Sequence, residues 1–527
     1  MVIKDLIERI ALNNDINNSK SIGVFGFAPL FFLLSFIWFI LICSLFCRAE
    51  YCSYKYLDNP AWAEQNTIFL ILSSGLFLAV AVLIYMFSRH LDNFKRTHVL
   101  FTIIYLSVLA QLLFILYFPA KQFADQDIVN RIAYEIIDNN YNAFQERGYL
   151  YQYPNNIGIA FLLSVIYRIF PQALMVPKLL NIVFSTVTSF LIFRIYEEAF
   201  PQKNTNDFAL IFFSSFFPPM IMLNNLVYND IYATTLFLGS IFNAMRFVKT
   251  ENKKYLVLTG ALLTLGNFLR QVGAVFLLAI IVYFVIKRVP LLKSLAFFGI
   301  VLVLFRMPMF LVNNYLIETE KIPEPIGTNS IPIDMWIHMG MNDEKFGYWD
   351  DSYSLNIYSN QGKYEKEKSR QIYRMLINKK LEEKGLSNLA KVYIKKNIWL
   401  WTEGTYQAEY YGVGSWGHLY STIATDKLDN SVLFRDSIRW TLHVINILML
   451  SLIFIGLLEC IIKKVPYLLL LPAIVVIGFI GFYTVWEIKP RYIYPIYPYM
   501  ILMAYQGLST LMDILATRIR FLSRLNS

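Results

Sequence analysis

Long apolar stretches separated by short polar or charged connections dominate the chain. The first three, near 24–47, 67–88 and 98–119, are each about 20 residues long, enough to cross a hydrocarbon layer about 30 Å thick. Further apolar stretches follow near 174–194, 207–227, 231–248, 255–269, 271–287, 292–313, 438–462, 466–486 and 491–513. The pattern predicts an all-α polytopic membrane protein with about 12 transmembrane helices.

The short apolar segment 157–170 decides the predicted topology. It is too short for an ordinary span and has the length of an interfacial or re-entrant helix. Counting it as a span would place the basic cluster 246–254 outside the cell. Treating it as interfacial places that cluster in the cytoplasm with the other basic connections. We therefore predict an exterior loop over 120–173, with both termini in the cytoplasm of a cell-membrane protein.

Two predicted helices, 255–269 and 271–287, are short and are joined only at Arg270. The pair is compatible with a broken hairpin that does not fully cross, which is tolerated where the backbone lines a cavity within the protein. An ionisable residue inside a membrane protein is a functional hypothesis by default. Arg270 is therefore a candidate site residue.

The pattern divides the chain into four parts. Residues 1–97 hold a polar tail and two additional helices, and 98–313 form a membrane core that includes the exterior loop. Residues 314–437 are a polar insertion on the exterior side, and 438–527 hold the last helices and a basic cytoplasmic tail.

The insertion is predicted to be mainly helical. A charged helix rich in Lys and Glu is expected to end at Gly385, because glycine is favoured just after a helix C-terminus. A second helix over 387–401 ends in Trp399 and Trp401, which suit anchors at the membrane interface.

Composition agrees with a membrane location. Hydrophobic residues make up 57% of the 527 positions, charged residues 16%, and the mean hydropathy is +0.47, more apolar side chain than a soluble protein of this length could bury. The net charge of +10 comes from short basic clusters beside the apolar stretches, which orient membrane helices and form no nucleic-acid surface. We expect membrane lipids as partners and no nucleic acid.

The polar sequence PAKQFADQD (119–127) follows the third predicted helix. Asp127 fits the N-cap of the amphipathic helix that comes next, and this leaves Asp125 without a structural task. A carboxylate at the membrane rim is costly unless it is paired or used. Asp125 is therefore a candidate catalytic residue, and Asp127 stays open between capping and catalysis.

Two further polar clusters fall on the same predicted side. The turn VYNDIY (227–232) places Asp230 between two helices, where helix capping and function explain it equally well. The sequence WEIKPRYIYPIYPY (486–499) gathers Glu487, Lys489 and Arg491 at the outer end of the last two helices. Cations are disfavoured in a short exterior loop, so they need an anionic partner, either Glu487 or a lipid phosphate. An interfacial belt with snorkelling cations is the alternative.

Carboxylates and cations at one rim suit transfer of a sugar from a polyprenyl phosphate. The acceptor hydroxyl needs a base, and a positioned carboxylate contributes roughly 10²–10⁴-fold. The departing phosphate needs positive charge, which arginine or lysine supplies. No P-loop pattern with its lysine is present, which argues against a nucleotide donor.

At these residues the chain resembles the GT-C glycosyltransferases, a class dependent on polyprenyl-phosphate sugars that includes protein O-mannosyltransferases and lipid A aminoarabinose transferases. The resemblance covers most of 98–513 and rests on the order of five segments: Asp125 before IVNRIAYEI, YLYQYPNNIGIAFLLSVIYRIF, FPPMIMLNNLVYND, GALLTLGNFLRQVG and EIKPRYIYPIYPY. The family more usually has an Asp-Glu pair where this chain reads ADQD, so Asp125 and Asp127 remain alternatives for the base.

The resemblance implies a GT-C-like helical bundle that passes a sugar, with inversion, from a polyprenyl-phosphate carrier to an exterior acceptor. Asp125 would be the general base, and Asp230 would orient the acceptor or hold a metal. Arg270 and Arg491 would neutralise the phosphate. The remaining substrate-binding candidates are Lys489, which assists, Glu487, which holds the cations, Tyr153 and Pro154, which shape the entrance, and Tyr492.

Two other functions fit the same pattern. One is a transporter or flippase of lipid-linked or small substrates, because twelve helices with both ends inside are common among carriers. Carriers usually show repeated halves and polar sites at the midplane, whereas here the halves differ and the charges gather at one rim. The other is an oligosaccharide polymerase or ligase that uses a diphosphate-linked donor.

The sequence assigns no cofactor. The acids of ADQD leave Mg²⁺ or Mn²⁺ open, whereas the resemblance implies that no metal is required, and the four cysteines show no metal-ligand spacing. The abundant Lys, Asn, Ile, Tyr and Phe are typical of AT-rich bacterial genomes. The resemblance favours a cell-surface polysaccharide or teichoic acid of a bacterial cell wall as the acceptor, with lipid or protein as alternatives.

Overall fold

The structure is a computed structural model that describes residues 24–50, 60–171, 173–201, 207–465 and 467–525. The predicted cytoplasmic N-terminus depends on three basic residues that lie outside the described residues, namely Lys4, Arg9 and Lys20.

The described part of the chain is almost entirely helical. Its first half contains α1 (Val24–Ser44), α2 (Thr67–His90), α3 (Arg96–Tyr117), α4 (Asp125–Ile137), α5 (Tyr149–Gln152), α6 (Ile157–Ile169), α7 (Met175–Ala199), α8 (Phe208–Ser215), α9 (Pro218–Leu223), α10 (Asp230–Thr250) and α11 (Lys253–Leu269). Its second half contains α12 (Gly273–Ile286), α13 (Leu291–Glu318), α14 (Asp334–Gly340), α15 (Asp351–Tyr353), α16 (Lys366–Glu403), α17 (Ile423–Asn430), α18 (Val432–Lys463), α19 (Leu470–Val485) and α20 (Tyr497–Leu525).

Short irregular helices join these elements. The 3₁₀ turns are Leu91–Asn93, Asn142–Phe144, Pro154–Asn156 and Pro490–Ile496, and the π-helical turns are Ser354–Gln361 and Ala408–Gly412. Two short strands, β1 (Arg48–Glu50) and β2 (Ala61–Ala63), pair antiparallel between α1 and α2.

Within the residues that the structure describes, eight helices are long and apolar enough to cross a membrane. They are α1, α2, α3, α7, α10, α13, α18 and α20. The other predicted spans coincide with shorter helices, namely α8 with α9, α11, α12 and α19. The architecture is that of a polytopic membrane protein, and the number of twelve spans stays a prediction.

The prediction of one continuous helix over 207–227 is wrong. Helix α8 ends at Ser215, and α9 begins at Pro218 after Phe217 adopts extended backbone (φ −65°, ψ 114°). A proline ring disfavours helical backbone in the residue before it and suits the first turn of a new helix. The break lets α9 pack against the π-helical turn Ala408–Gly412 of the insertion.

The short apolar segment 157–170 forms helix α6, which packs against α4. Gly158, in its first turn, lies against the end of α11, and a Cβ there would be 2.1 Å from the carbonyl oxygen of Phe268. Any side chain would collide with this carbonyl, so the contact requires glycine. It holds α6 against the turn that carries Arg270.

Residues 319–431 connect α13 to α18. Helix α16 kinks at Gly385 (φ 67°, ψ 164°), which divides it into two helical halves as predicted. The expectation that Trp399 and Trp401 are interface anchors is wrong, because both side chains are buried. Trp399 stacks on Phe346 with ring centroids 5.9 Å apart.

The strand pair β1–β2 explains how the two N-terminal helices attach to this segment. The Trp399 indole donates a hydrogen bond to the Ala61 carbonyl at 3.0 Å. Arg439 of α18 forms an ion pair with Glu50, with 2.5 Å between Nη1 and Oε1. The hairpin therefore fixes α1 and α2 to the 319–431 segment through Trp399 and to α18 through Arg439.

The largest buried cluster lies among α10, α18, α19 and α20. Helices α18 and α20 approach closely at Gly507, where a Cβ would be 1.8 Å from the Leu452 carbonyl oxygen. Small residues permit such close approach of membrane helices. The contact holds α20 and the preceding turn Pro490–Ile496, which carries Arg491, in one position.

Candidate active site

Asp125 is the first residue of α4, and its side chain is partly exposed. Ala124 before it has an unusual backbone conformation (φ 50°, ψ −127°), so the chain turns sharply into the helix. The carboxylate lies in the first turn, where the helix dipole favours negative charge. The Tyr149 hydroxyl donates a hydrogen bond to Asp125 Oδ1 at 2.8 Å. Asp125 is thus a positioned and accessible carboxylate, as general-base chemistry requires.

Asp127 has a different environment. Its side chain is 53% exposed and forms an ion pair with Arg131, with 3.2 Å between Oδ2 and Nε. The expectation that Asp127 is the helix N-cap is wrong, because Ala124 occupies that position and Asp127 is the third helical residue. A solvent-exposed i,i+4 pair of this kind is an ordinary feature of a helix surface.

A chain of hydrogen bonds leads from Asp125 into the protein. The Tyr149 hydroxyl, which donates to Asp125, accepts from the Asn156 amide at 2.8 Å. The Tyr228 hydroxyl donates to Asn156 Oδ1 at 2.5 Å. The ring of Tyr228 in turn lies 4.9 Å from the guanidinium of Arg491. The exterior loop and the turn before α10 are connected through these side chains.

Asp230 is the first residue of α10 and is almost fully buried, with 1% exposure. Its Oδ1 lies 2.5 Å from Nη1 of Arg270, and its Oδ2 lies 3.2 Å from Nη1 of Arg491. One carboxylate therefore holds two buried arginines. Buried charges persist when they are paired, and here the pairing leaves one positive charge in excess.

Both guanidinium groups keep an unused donor. The Nε atoms of Arg270 and Arg491 are buried and have no hydrogen-bond partner among the described residues. A buried donor without a partner carries a desolvation cost of about 1–3 kcal/mol. An excess positive charge with unused N–H donors is suited to an anionic ligand.

Aromatic rings and an amide fix the two guanidinium groups. Arg491 lies between the rings of Tyr228 and Tyr411, at 4.9 and 4.8 Å from their centroids. Gln126, in the amide orientation that satisfies both of its polar groups, accepts a hydrogen bond from Arg491 at 2.8 Å. The residue next to Asp125 therefore contacts the arginine cluster directly.

Glu487 is buried beside this cluster, on the loop between α19 and the last helical segment. Burial raises its pKa to about 7, opposed by the charge of Lys489 and by a hydrogen bond with Tyr492. The Tyr492 ring also lies 5.5 Å from the guanidinium of Arg270. Tyr492 therefore bridges the carboxyl group of Glu487 and the arginine cluster.

Lys396 of α16 supports the same loop. Its ammonium group is buried and donates to the carbonyl oxygens of Gly340 and Thr484, each at 3.2 Å, and to that of Trp486. Burial lowers the pKa of Lys396 to about 7, and the charge of Glu487 opposes this shift. The 319–431 segment thereby fixes the backbone immediately before Glu487.

Tyr153 and Pro154 are half-buried parts of the site, and Lys489 is buried beside them. The Tyr153 ring is 5.2 Å from that of Tyr149, and Pro154 begins the 3₁₀ turn that ends at Asn156. Lys489 lies over the ring of Trp349 at 5.5 Å. All the residues proposed from the sequence except Asp127 thus belong to one connected cluster.

Several residues of this cluster were not identified from the sequence. Tyr228 and Asn156 lie inside segments that the sequence analysis selected. Those segments combine polar and aromatic residues, and this combination could have indicated both residues. Lys396, Tyr411 and Trp349 come from the 319–431 segment, far along the chain. No local pattern links them to the site.

In the described ranges, no group of three or more His, Cys, Asp or Glu side chains is arranged to hold a metal ion. Asp125 bonds to Tyr149 and Asp127 to Arg131, so these two acids have separate partners.

Comparison with known proteins identifies a protein family. The family model of the dolichyl-phosphate-mannose-protein mannosyltransferases matches residues 154–311, which is a domain of the GT-C superfamily and indicates a membrane glycosyltransferase. The match covers Pro154, Asn156, Tyr228, Asp230 and Arg270. No curated protein and no solved structure matches the chain.

Proposed function

From the GT-C domain at residues 154–311, we propose that this membrane glycosyltransferase passes a sugar from a polyprenyl-phosphate carrier to a hydroxyl acceptor, with inversion. We place the reaction on the extracytoplasmic face, because Asp125, Asp230 and Glu487 belong to one cluster on the side opposite the predicted basic cytoplasmic connections. The matched family supplies the donor class. The acceptor we favour is a cell-surface glycan or teichoic acid.

The observation that carries the proposal is the pair of arginines on one buried carboxylate. Asp230 neutralises one of the two positive charges, and Arg270 and Arg491 each keep an unused Nε donor. A phosphate monoanion or dianion would take up this charge and these donors. Charge that develops on a leaving phosphate would be stabilised most strongly in such a water-poor site.

The reaction would be a single displacement at the anomeric carbon. The Asp125 carboxylate accepts the proton of the acceptor hydroxyl while the acceptor oxygen forms a bond to C1 of the sugar. The bond between C1 and the phosphate oxygen breaks, and its electron pair leaves with the polyprenyl phosphate. The leaving group is already a stable anion and needs no proton.

The remaining residues would position these groups. The resemblance implies that Asp230 orients the acceptor or holds a metal. We assign it instead to holding Arg270 and Arg491. Tyr149 would orient Asp125, and Pro154 would orient Asn156 in the hydrogen-bond chain. Glu487, Lys489 and Tyr492 would set the charge beside the arginines.

The experiment uses purified protein in lipid nanodiscs with a labelled polyprenyl-phosphate sugar and a cell-surface glycan preparation as the hydroxyl acceptor. We expect wild type to release polyprenyl phosphate and Asp125→Asn to release it at a rate lower by about 10²–10⁴-fold. Asp127→Asn, two positions away on the same helix, is the matched control and should retain most activity. Equal turnover of wild type and Asp125→Asn would remove Asp125 from the mechanism.

The same preparation separates transfer from transport. In sealed proteoliposomes, an enzyme cleaves the donor on one side, whereas a flippase moves intact donor across the bilayer. Movement of intact donor without cleavage would reject the proposed function. Cleavage only of a diphosphate-linked donor would reassign the enzyme to the polymerase or ligase class.

A further inference from the structure

A run of aromatic rings leads outward from Asp125. The Tyr149 ring, whose hydroxyl donates to Asp125, lies 5.2 Å from that of Tyr153. The Tyr153 ring lies 6.3 Å from that of Trp349. Tyr149 and Tyr153 belong to the loop after α4, whereas Trp349 comes from the 319–431 segment. Two distant parts of the chain thus form one aromatic surface beside the candidate base.

Trp349 is held in a defined orientation but is not closed off. Its indole N–H donates to Asp351 Oδ1 at 2.6 Å, and Lys489 lies 5.5 Å from its ring centre. The side chain is half-buried, so part of the ring remains accessible. A ring fixed in this way loses little freedom when a ligand packs on it.

Carboxylates are in the majority around this surface. Asp125, Asp351 and Glu487 lie near the Tyr153 hydroxyl, with Lys489 at the Trp349 ring, and Asp351 itself is exposed. The strongest cations of the site, Arg270 and Arg491, are buried at Asp230 and lie deeper. A polyanionic acceptor would be repelled by these carboxylates, whereas neutral hydroxyl groups can donate to them.

We propose that Trp349, Tyr153 and Asp351 form an acceptor subsite for an uncharged sugar ring. The C–H face of the sugar packs on the aromatic surface, one hydroxyl donates to Asp351, and the reacting hydroxyl is presented to Asp125. This inference rests on the proposed function and specifies its acceptor as a neutral glycan or the neutral glycan part of a glycolipid. It disfavours a polyphosphate chain as the direct acceptor.

The binding test needs no donor. Saturation-transfer NMR on the protein in nanodiscs compares maltotriose as the neutral probe with a serine-rich peptide and a glycerol-phosphate oligomer. We expect maltotriose to bind, Trp349→Ala to weaken its binding by about tenfold, and Trp349→Phe to restore most of it, because phenylalanine keeps an aromatic face. Trp62→Ala is the matched control, since Trp62 is exposed and its ring packs on Phe346, which is not part of the proposed subsite.

Two results would overturn the subsite. One is binding of the peptide or of the glycerol-phosphate oligomer that depends on Trp349 while maltotriose does not bind. The other is maltotriose binding that Trp349→Ala leaves unchanged. Donor cleavage by the same preparation reports the proposed function independently. Cleavage without Trp349-dependent glycan binding would reject the subsite alone, and absence of cleavage would reject the proposed function.

Discussion

Asp230 and Arg491, 261 positions apart in the sequence, form a buried ion pair with 3.2 Å between Oδ2 and Nη1. The other oxygen of the same carboxylate holds Arg270. The arrangement makes Asp230 the point at which the turn before α10, the turn after α11 and the last loop meet. Loss of its charge would leave two arginines buried without a counter-ion.

The first prediction concerns that loss. Asp230→Asn should destabilise the protein by about 3–5 kcal/mol, the usual cost of removing one partner from a buried ion pair. Thermal unfolding of the purified protein in detergent measures the change. Asp127→Asn removes a surface pair instead and should cost at most about 1 kcal/mol. Equal melting temperatures for the two variants would contradict the anchoring role of Asp230.

Tyr149→Phe removes the hydrogen bond to Asp125 and keeps the aromatic ring. We expect turnover to fall by about tenfold, because the carboxylate loses the donor that orients it. The KM for the polyprenyl-phosphate donor should stay nearly constant, since the arginine cluster is unchanged. Steady-state kinetics distinguish the two parameters. A rise in donor KM with unchanged turnover would place Tyr149 in donor binding.

Arg491→Lys tests the geometry of the phosphate site at constant charge. A lysine cannot stack between Tyr228 and Tyr411 and offers a single point of charge where the guanidinium offers a planar fork. We expect the donor KM to rise by about tenfold or more. Arg131→Lys, on the exposed pair with Asp127, is the control and should leave the KM unchanged. A donor KM that is insensitive to Arg491→Lys would argue against a phosphate contact.

Gly158→Ala tests whether the packing of α6 sets the position of Arg270. The added Cβ would lie 2.1 Å from the Phe268 carbonyl oxygen, so α6 and the Arg270 turn must separate. Donor cleavage should fall by about 10²-fold, as expected when a reacting group is displaced by about 1 Å. Gly299→Ala, where nothing lies within 4 Å, is the control and should behave as wild type. Full activity of Gly158→Ala would indicate that the contact is dispensable.

The stability of the protein should decrease as the pH rises from about 4.5 to about 8. Burial and, to a smaller extent, the nearby charge of Glu409 raise the pKa of Glu403 to about 8. The folded-state pKa lies above the ordinary value of 4.5. The contribution of this carboxyl to the free energy of unfolding is therefore fully present below pH 4.5. It is lost as the pH rises through about 8.

Glu403→Gln replaces this carboxyl with a neutral side chain that keeps a hydrogen-bond acceptor for Thr405. The variant should melt at a higher temperature than wild type at pH 8.5, and the difference should shrink at pH 5. Melting curves across this pH range provide the measurement. A difference that is the same at both pH values would rule out titration of Glu403 as its cause.

The membrane class and most residues of the candidate site were predictable from the sequence, because both depend on local pattern. The length of an apolar stretch identifies a membrane span. The acidic and basic residues that interrupt these stretches at helix ends are the ones that lie together in the structure. Asp125, Asp230, Arg270, Glu487 and Arg491 were found in this way.

Other features depend on distant contacts and were not predictable. The order of partners around Asp230 requires knowledge of which helix ends meet. The break at Phe217 was visible as a Pro-Pro pair, but the apolar pattern continued across it. Trp399 was assigned to the interface because nothing in its own segment indicates that the β1–β2 hairpin covers it. Trp349 and Lys396 likewise acquire their places only through the packing of the 319–431 segment.

The carboxylate of Asp230 pairs with two arginines that are synthesised at different times. When α10 is synthesised, its first residue is an acid with neither partner present, and Arg270 arrives with the turn after α11. At that stage the pair is electrically neutral. Arg491 arrives much later and brings the excess positive charge, so the proposed phosphate site would be complete only when the final loop folds against α10.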